Sequence, residues 1–170
     1  MVGLDREDSY AAGRQSGPPR VEYAVVIAAT PAVVWRALTE PALMRHWMGE
    51  PEMQVEIQTE WTVGGPFVVR GFHHVQFEGR GTVRTFEPGR ALEYTQLSSV
   101  SRLPNVPENH HVIGFALAAQ GDRTSLTLTL REFPTHTIYK HLDFYWRTTL
   151  EILKQFVERN DGSARPSSND

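Results

Sequence analysis

Three polar side chains share the spacing of apolar residues on two strands that the sequence predicts. Tyr94 and Gln96 lie two positions apart on one strand, and His111 is in phase with Ile113 and Phe115 on another. Alternate residues of a strand point to the same face, so a phenol, an amide and an imidazole are expected among apolar neighbours. Apolar walls with a few oriented polar groups are typical of a small-molecule site.

Other candidates for the wall of such a site lie on the predicted strands, in a short helix after Pro41 and in a helix near the C-terminus. They are mostly large and aromatic: Trp47, Trp61, Phe67, Val69, Ile113, Phe115, Tyr145, Trp146 and Thr149. We expect Trp47 to lie near the mouth of such a site. The aperiodic segment 98–109, which contains Pro104 and Pro107, is expected to cover part of that mouth because long loops often form lids.

Metal chemistry and thiol chemistry are not expected. The chain has no cysteine, which excludes disulfides, thiolate nucleophiles and cysteine-based zinc sites. In an extended chain, the members of the pairs His73–His74 and His110–His111 point to opposite faces and cannot chelate one metal ion. His136 and His141 are five residues apart, a poor spacing for a shared zinc. We therefore predict no metal site and no cofactor.

Acid–base chemistry has only weak candidates. Glu78 and Glu93 lie on strands but out of phase with the apolar residues, so both are expected to be solvated rather than paired in a site. His111 as a base and Tyr94 as an acid are the remaining catalytic candidates. No set of nucleophile, base and orienting group is visible in the sequence.

Composition narrows the class of protein. The chain has 170 residues, 40% of them hydrophobic, and a formal net charge of −3, which suits one globular domain. No dense cluster of Lys and Arg suggests binding to nucleic acid or to an anionic membrane. The first twenty residues lack an apolar segment, so neither a signal peptide nor a membrane anchor is predicted, and a cytoplasmic location is the default.

Periodicity predicts one domain over residues 21–160, with disordered tails at 1–20 and 161–170 that are polar and aperiodic. The first strand, 21–27, has an apolar second face and is expected inside the sheet. Thr30 is expected to cap a short helix with its hydroxyl, Pro31 suits the first helical position, and Pro41 restarts a second short helix.

Residues 53–131 alternate with a period of two and predict an antiparallel meander, giving about seven strands. Turn signals separate the runs at Gly64–Pro66, Pro88–Gly89 and Gly121–Asp122. A long helix follows, capped by Thr135 or Thr137, with apolar residues at helical spacing as far as Val157.

The order of these motifs resembles the Hsp90-ATPase-activator-homologue family of the START/Bet v 1-like (SRPBCC) superfamily. The matching residues are Ala29 to Pro31, Val34, Trp35, Thr39, Pro41, Trp47, Gly64-Gly65, Gly81 to Val83, Glu87-Pro88 and Leu92 to Tyr94, with Thr30 inserted between the alanine and the proline. The resemblance covers about residues 21–159. It implies an α+β helix-grip fold, in which a curved antiparallel sheet wraps around a long C-terminal helix and two short helices join the first two strands.

The resemblance also implies a cavity between the sheet and the long helix, because the superfamily shares that feature. Our leading hypothesis is a binding module for a small apolar or aromatic molecule. An enzyme of cyclase or dehydratase type, using His111 and Tyr94, is the alternative. A chaperone-partner module ranks third. The family's eukaryotic co-chaperones carry an additional N-terminal domain, whereas only the predicted tail at 1–20 precedes the first strand here. No membrane insertion is expected, and a homodimer stays open.

Overall fold

The structure, a computed structural model, describes residues 20–161 and is built on one curved antiparallel sheet. Its strands are β1 (Arg20–Ile27), β2 (Glu56–Thr59), β3 (Pro66–His73), β4 (Val75–Glu87), β5 (Ala91–Ser98), β6 (His111–Gln120) and β7 (Arg123–Arg131). The helices are α1 (Pro31–Thr39), α2 (Pro41–Trp47) and α3 (His136–Asn160). The sheet order is β1-β7-β6-β5-β4-β3-β2, so the predicted α+β helix-grip architecture, with seven strands, is confirmed.

The predicted tails fall almost wholly outside the described residues. Of their members only Arg20, which opens β1, and Asp161, which ends the described segment, are included. None of the helices within residues 20–161 is long and apolar enough to cross a membrane.

The position of β1 differs from the prediction that it lies inside the sheet. Among the described strands it pairs only with β7, at one edge of the sheet. Its inner face, with Tyr23 and Val25 opposite Leu128 and Leu126, packs on the core, whereas Val26 on the other face is 38% exposed. The apolar second face is left at the surface, so apolar residues on both faces did not require a central strand.

The turns follow the predicted glycines with one addition. Gly64, Gly89 and Gly121 all have positive φ, at 88°, 76° and 62°, which glycine adopts without steric cost. The turn between β3 and β4 is made instead by His74, whose φ is 63°. His73 therefore ends β3 and His74 forms the hairpin tip, so the pair does not lie within one continuous strand.

The helix starts are set by prolines and a threonine. Pro31 and Pro41 occupy the first turns of α1 and α2, as predicted. The prediction of a hydroxyl cap at Thr30 is wrong: its side chain makes no capping bond within the described residues, and its carbonyl accepts from the Val34 amide instead. At α3 the predicted cap is confirmed, because the Thr135 hydroxyl accepts from the Ile138 amide at 3.1 Å.

The concave face of the sheet is covered by α3. The helix buries one stripe against the sheet and the short helices, made of Leu142, Trp146, Thr149, Leu150, Leu153 and Val157. Trp146 meets Phe115 of β6 edge to face, with ring centroids 5.8 Å apart. Burial of such side chains contributes about 1.5–3 kcal/mol each, so this contact layer supplies much of the stability.

Two adjacent residues of α3 test that layer. Leu153 is fully buried, whereas Ile152 is 40% exposed. We expect Leu153→Ala to lower the free energy of unfolding by about 2–5 kcal/mol, because it leaves a cavity in the core. Ile152→Ala should change it by less than about 1 kcal/mol. Urea denaturation monitored by circular dichroism measures both, and equal losses would contradict the assigned packing.

Candidate functional site

The predicted polar residues meet on the concave face of the sheet. The register pairs Gln96 of β5 with His111 of β6, and Tyr94 with Ile113 two residues further along. Directly opposite residues share a face and have neighbouring Cβ atoms. Leu92 and Phe115 form the next pair, so an apolar layer adjoins the polar one. The three polar side chains therefore lie side by side beneath α3.

Aromatic rings form the apolar surroundings of this group. Phe67 of β3 stacks on Tyr94 with ring centroids 3.9 Å apart. Trp146 is T-shaped to Tyr145, with centroids 5.2 Å apart, and lies 6.4 Å from Trp47. Rings from β3 and β6 thus lie against Tyr94, and rings from α2 and α3 pack around Trp146.

Tyr94 is the most deeply buried of the polar residues. Its side chain is 1% exposed, and its hydroxyl finds no hydrogen-bond partner among residues 20–161. Burial raises the pKa of this phenol, and the nearby Tyr145 phenol raises it further. The hydroxyl is therefore a neutral donor without an acceptor, in an environment where an unmade hydrogen bond is costly.

The amide of Gln96 lies across the backbone of Gly79 on β4. A Cβ at Gly79 would lie 2.1 Å from the Gln96 Oε1 atom, so only glycine leaves room for the amide there. The Nε2 atom of Gln96 is inaccessible to solvent and has no partner in the described part of the chain. A second buried donor therefore lies on the same face of β5 as Tyr94.

His111 is 7% exposed and is held neutral. Burial lowers the pKa of its imidazole to about 3, and repulsion from His110 and His141 adds to that effect. At neutral pH the ring therefore carries one donor nitrogen and one acceptor nitrogen.

Tyr145 and Thr149 bring the helix side of the group into place. The Tyr145 hydroxyl donates to the carbonyl of Met48 at 2.6 Å, which ties α3 to the residue that follows α2. Burial raises the pKa of Tyr145 to about 12, and its hydrogen bond to Thr149 opposes that change. Thr149 is itself 4% exposed. Unlike Tyr94, this phenol has its donor satisfied.

The two tryptophans predicted for the wall, Trp47 and Trp61, donate hydrogen bonds to backbone carbonyls. Trp47, expected near a mouth, is 2% exposed, and its indole N–H donates to the Ala37 carbonyl at 2.9 Å. Trp61 is partly buried and donates to the Thr39 carbonyl at 2.6 Å. Both indoles therefore fix α1 against the core as well as adding apolar wall.

The loop between β5 and β6 is held by its own side chains. Asn109 donates to the Pro104 carbonyl at 2.9 Å, and the imidazole of His110 lies 2.8 Å from the side-chain oxygen of Asn105. Its predicted role as a cover for the cavity stays a prediction.

The two strand carboxylates lie on the convex face, away from this group. Glu93 accepts from Arg131 at 2.8 Å, and Glu78 pairs with Arg70 and Arg80. The hydrogen bond from Arg70 holds the pKa of Glu78 below its usual value. Both carboxylates serve surface ion pairs and are remote from the buried polar heads. No three His, Asp or Glu side chains within residues 20–161 are grouped so as to hold a metal ion.

Two open pockets lie elsewhere on the surface. One, of about 190 Å³, lies on the convex face around Gly114, Thr129 and Arg131. The other, of about 200 Å³, lies between β1 and α3, beside Tyr23 and Arg147. Neither includes Tyr94, Gln96 or His111. A molecule that reaches those groups must part the side chains packed around them.

Sequence reasoning missed the backbone groups that position the side chains of the site. Gly79 and Gly81 alternate on β4, and a glycine inside a strand is a signal for close backbone approach. The carbonyl of Met48 could not be found in this way, because any residue has a carbonyl and only the fold brings it to Tyr145.

The comparisons with solved structures find the same fold in several bacterial proteins. A solution structure from Cytophaga hutchinsonii is 29% identical, with a TM-score of 0.68, over 82% of this chain and 94% of that one. A crystal structure from Chromobacterium violaceum is 19% identical, with a TM-score of 0.69, over 83% and 98% of the two chains. One from Nitrosomonas europaea is 20% identical, with a TM-score of 0.69, over 86% and 98%.

The comparison with family models agrees with the fold. No match is found among curated proteins. The family model described as "Activator of Hsp90 ATPase homolog 1-like protein" matches residues 28–158, which runs from the end of β1 almost to the end of α3. This match spans most of the chain, and it includes every predicted site residue. The chain therefore belongs to the Activator of Hsp90 ATPase homolog 1-like protein family.

Proposed function

We propose that this protein is a binding module for a small, mostly apolar or aromatic molecule, which it holds between the concave face of the sheet and α3. Family and fold support a ligand-binding or activator-type module in general terms. The observation that carries the finer proposal is a pair of buried donors, on Tyr94 and Gln96, that have no partner among residues 20–161. A ligand that accepts from them offsets the cost of burying them.

The acid–base alternative has less support. A general base works best when its pKa is near the operating pH, and burial lowers that of His111 to about 3. The pKa of the Tyr94 phenol moves the other way, which makes it a weaker acid. Both shifts suit neutral hydrogen-bonding groups, so we favour binding over turnover.

The first test is native mass spectrometry of gently purified protein, followed by denatured analysis of any released compound. We expect a bound molecule, or else an increase in melting temperature with neutral aromatic compounds. Ile113→Phe adds bulk beside Tyr94 and should reduce the bound fraction. Ile152→Phe, on the exposed side of α3, is the matched control and should not. An apo mass together with no thermal response would contradict the proposal.

The proposal also predicts opposite effects at two tyrosines. Tyr94→Phe removes a buried hydroxyl that has no partner among residues 20–161, and it should raise the free energy of unfolding of the apo protein by about 1 kcal/mol. Tyr145→Phe loses the bond to Met48 and should lower it by about 1 kcal/mol. Urea denaturation measures both, with the midpoint shifting at constant slope. Destabilisation by Tyr94→Phe would show that its hydroxyl is satisfied in the apo protein.

His111 predicts a pH dependence of stability. Its pKa is about 3 in the folded protein, below the ordinary value of about 6.5, so the unfolded chain takes up a proton that the folded chain does not. Above pH ~6.5 this residue costs no stability. Below that pH the free energy of unfolding falls by about 1.4 kcal/mol per pH unit. We expect a loss of about 2 kcal/mol between pH 8 and 5.

Two substitutions test whether His111 causes this pH dependence of stability. His111→Leu should flatten it between pH 6.5 and 5, whereas His73→Asn, at the exposed hairpin tip, should leave it unchanged. His110, whose pKa is also lowered by burial, adds a slope of the same sign that both variants retain. An unaltered slope in His111→Leu would show that this imidazole is not the group responsible.

A further inference from the structure

We propose that the interior site takes an uncharged molecule with an apolar, planar body and one acceptor oxygen, such as an aryl ketone, and that Tyr94 and Gln96 donate to that oxygen. This inference rests on the proposed function and names the ligand class. It follows from three features of the site: its donors, its lack of cationic partners and the shape of its walls.

The unpaired groups at the site are donors. The Tyr94 hydroxyl has one hydrogen to give, the Gln96 Nε2 atom has two, and neither has an acceptor among residues 20–161. The two residues lie on one face of β5, two positions apart, which separates their Cα atoms by about 7 Å. Side chains of that length can converge on one carbonyl oxygen, which has two lone pairs.

Full negative charge on the ligand is disfavoured. Besides tyrosine and tryptophan, the buried polar residues of the described chain are threonines, His111 and Asp161, with no Lys or Arg among them. The arginines of the neighbouring strands pair with surface carboxylates: Arg70 and Arg80 with Glu78, Arg84 with Glu132, and Arg131 with Glu93. A buried carboxylate would find hydrogen-bond donors here but no cation to compensate the loss of water.

The walls favour a flat body. Phe67 lies against one side of the Tyr94 ring, and Phe115 lies 6.5 Å from the same ring. Trp146 closes the group from α3, meeting Phe115 edge to face. Rings in stacked and edge-to-face arrangements accept another planar aromatic group more readily than a bulky aliphatic one.

Gly79 sets where the acceptor must lie. The Gln96 amide occupies the space that a side chain at this position would fill. Gly79→Ala would push the amide away from β4, because the added Cβ would lie 2.1 Å from Oε1. The glycine is therefore a positioning residue for the donor, and its substitution should weaken binding of an oxygen-bearing ligand alone.

The test compares shape-matched probes on the full chain. Acetophenone and α-methylstyrene have the same outline, but only acetophenone carries the oxygen, while benzoate adds the charge. Naphthyl analogues of the first two, 2-acetylnaphthalene and 2-isopropenylnaphthalene, extend the same comparison to a larger body. Affinities come from ¹H–¹⁵N NMR titration, with the amide of Ile113 and the indole of Trp146 reporting on the interior.

We expect the ketone of at least one size to bind about tenfold more tightly than its hydrocarbon match, and benzoate to leave the interior signals unmoved. Tyr94→Phe, Gln96→Met and Gly79→Ala should each remove most of the preference for the ketone without weakening the hydrocarbon. Thr127→Val, on the convex face of β7, is the control and should retain the full preference.

The outcomes separate the two proposals. Equal binding of ketone and hydrocarbon inside the protein, or benzoate binding as tightly as acetophenone, would overturn the ligand class and leave the binding function standing. If Tyr94→Phe weakens the binding of ketone and hydrocarbon equally, the ligand class is also overturned, because a general packing defect would then explain the effect. If no probe of either size moves the interior signals, the proposed function is overturned with it.

Discussion

The contact between α3 and the concave face of the sheet is the interaction on which the rest of the structure depends. A single stripe of α3, centred on Trp146 and Leu153, is buried against strands that are far apart in sequence. It also meets the short helices, since Tyr145 bonds to the carbonyl of Met48. The helix therefore closes the sheet into one core, and every group in that core must either be apolar or find a partner there.

Tyr94, Gln96 and His111 depart from this rule within the same layer. The core could bury three apolar side chains at these positions, since their neighbours Ile113, Phe115 and Phe67 are apolar. Instead it keeps two donors that have no partner in the described part of the chain, and an imidazole that burial holds neutral. Binding sites commonly carry such a stability cost, because groups arranged for a ligand are not arranged for the apo protein.

Local sequence signals predicted the parts that local chemistry controls. The prolines at 31 and 41 start α1 and α2, and the glycines of three turns adopt the positive φ expected of them. The phase of β5 and β6 follows from alternation, which is why Gln96 and His111 were placed on one face. The cavity follows only from the family resemblance. Both the cavity and the ligand-binding role of its lining stay proposals.

What escaped prediction depends on residues brought together by the fold. Among the described strands β1 pairs only with β7 and so lies at the edge, whereas its apolar outer face indicates a central strand. His74 turns the chain without glycine, proline or asparagine to mark it.

Tyr94 and Tyr145 show the same limit most clearly. Both are tyrosines that pack in the core, Tyr94 fully buried and Tyr145 partly, yet the hydroxyl of Tyr145 meets a backbone carbonyl 97 residues away and that of Tyr94 meets none in the described chain. Sequence pattern can assign a phenol to an interior. Only the three-dimensional neighbours decide whether its hydroxyl finds a hydrogen-bond partner.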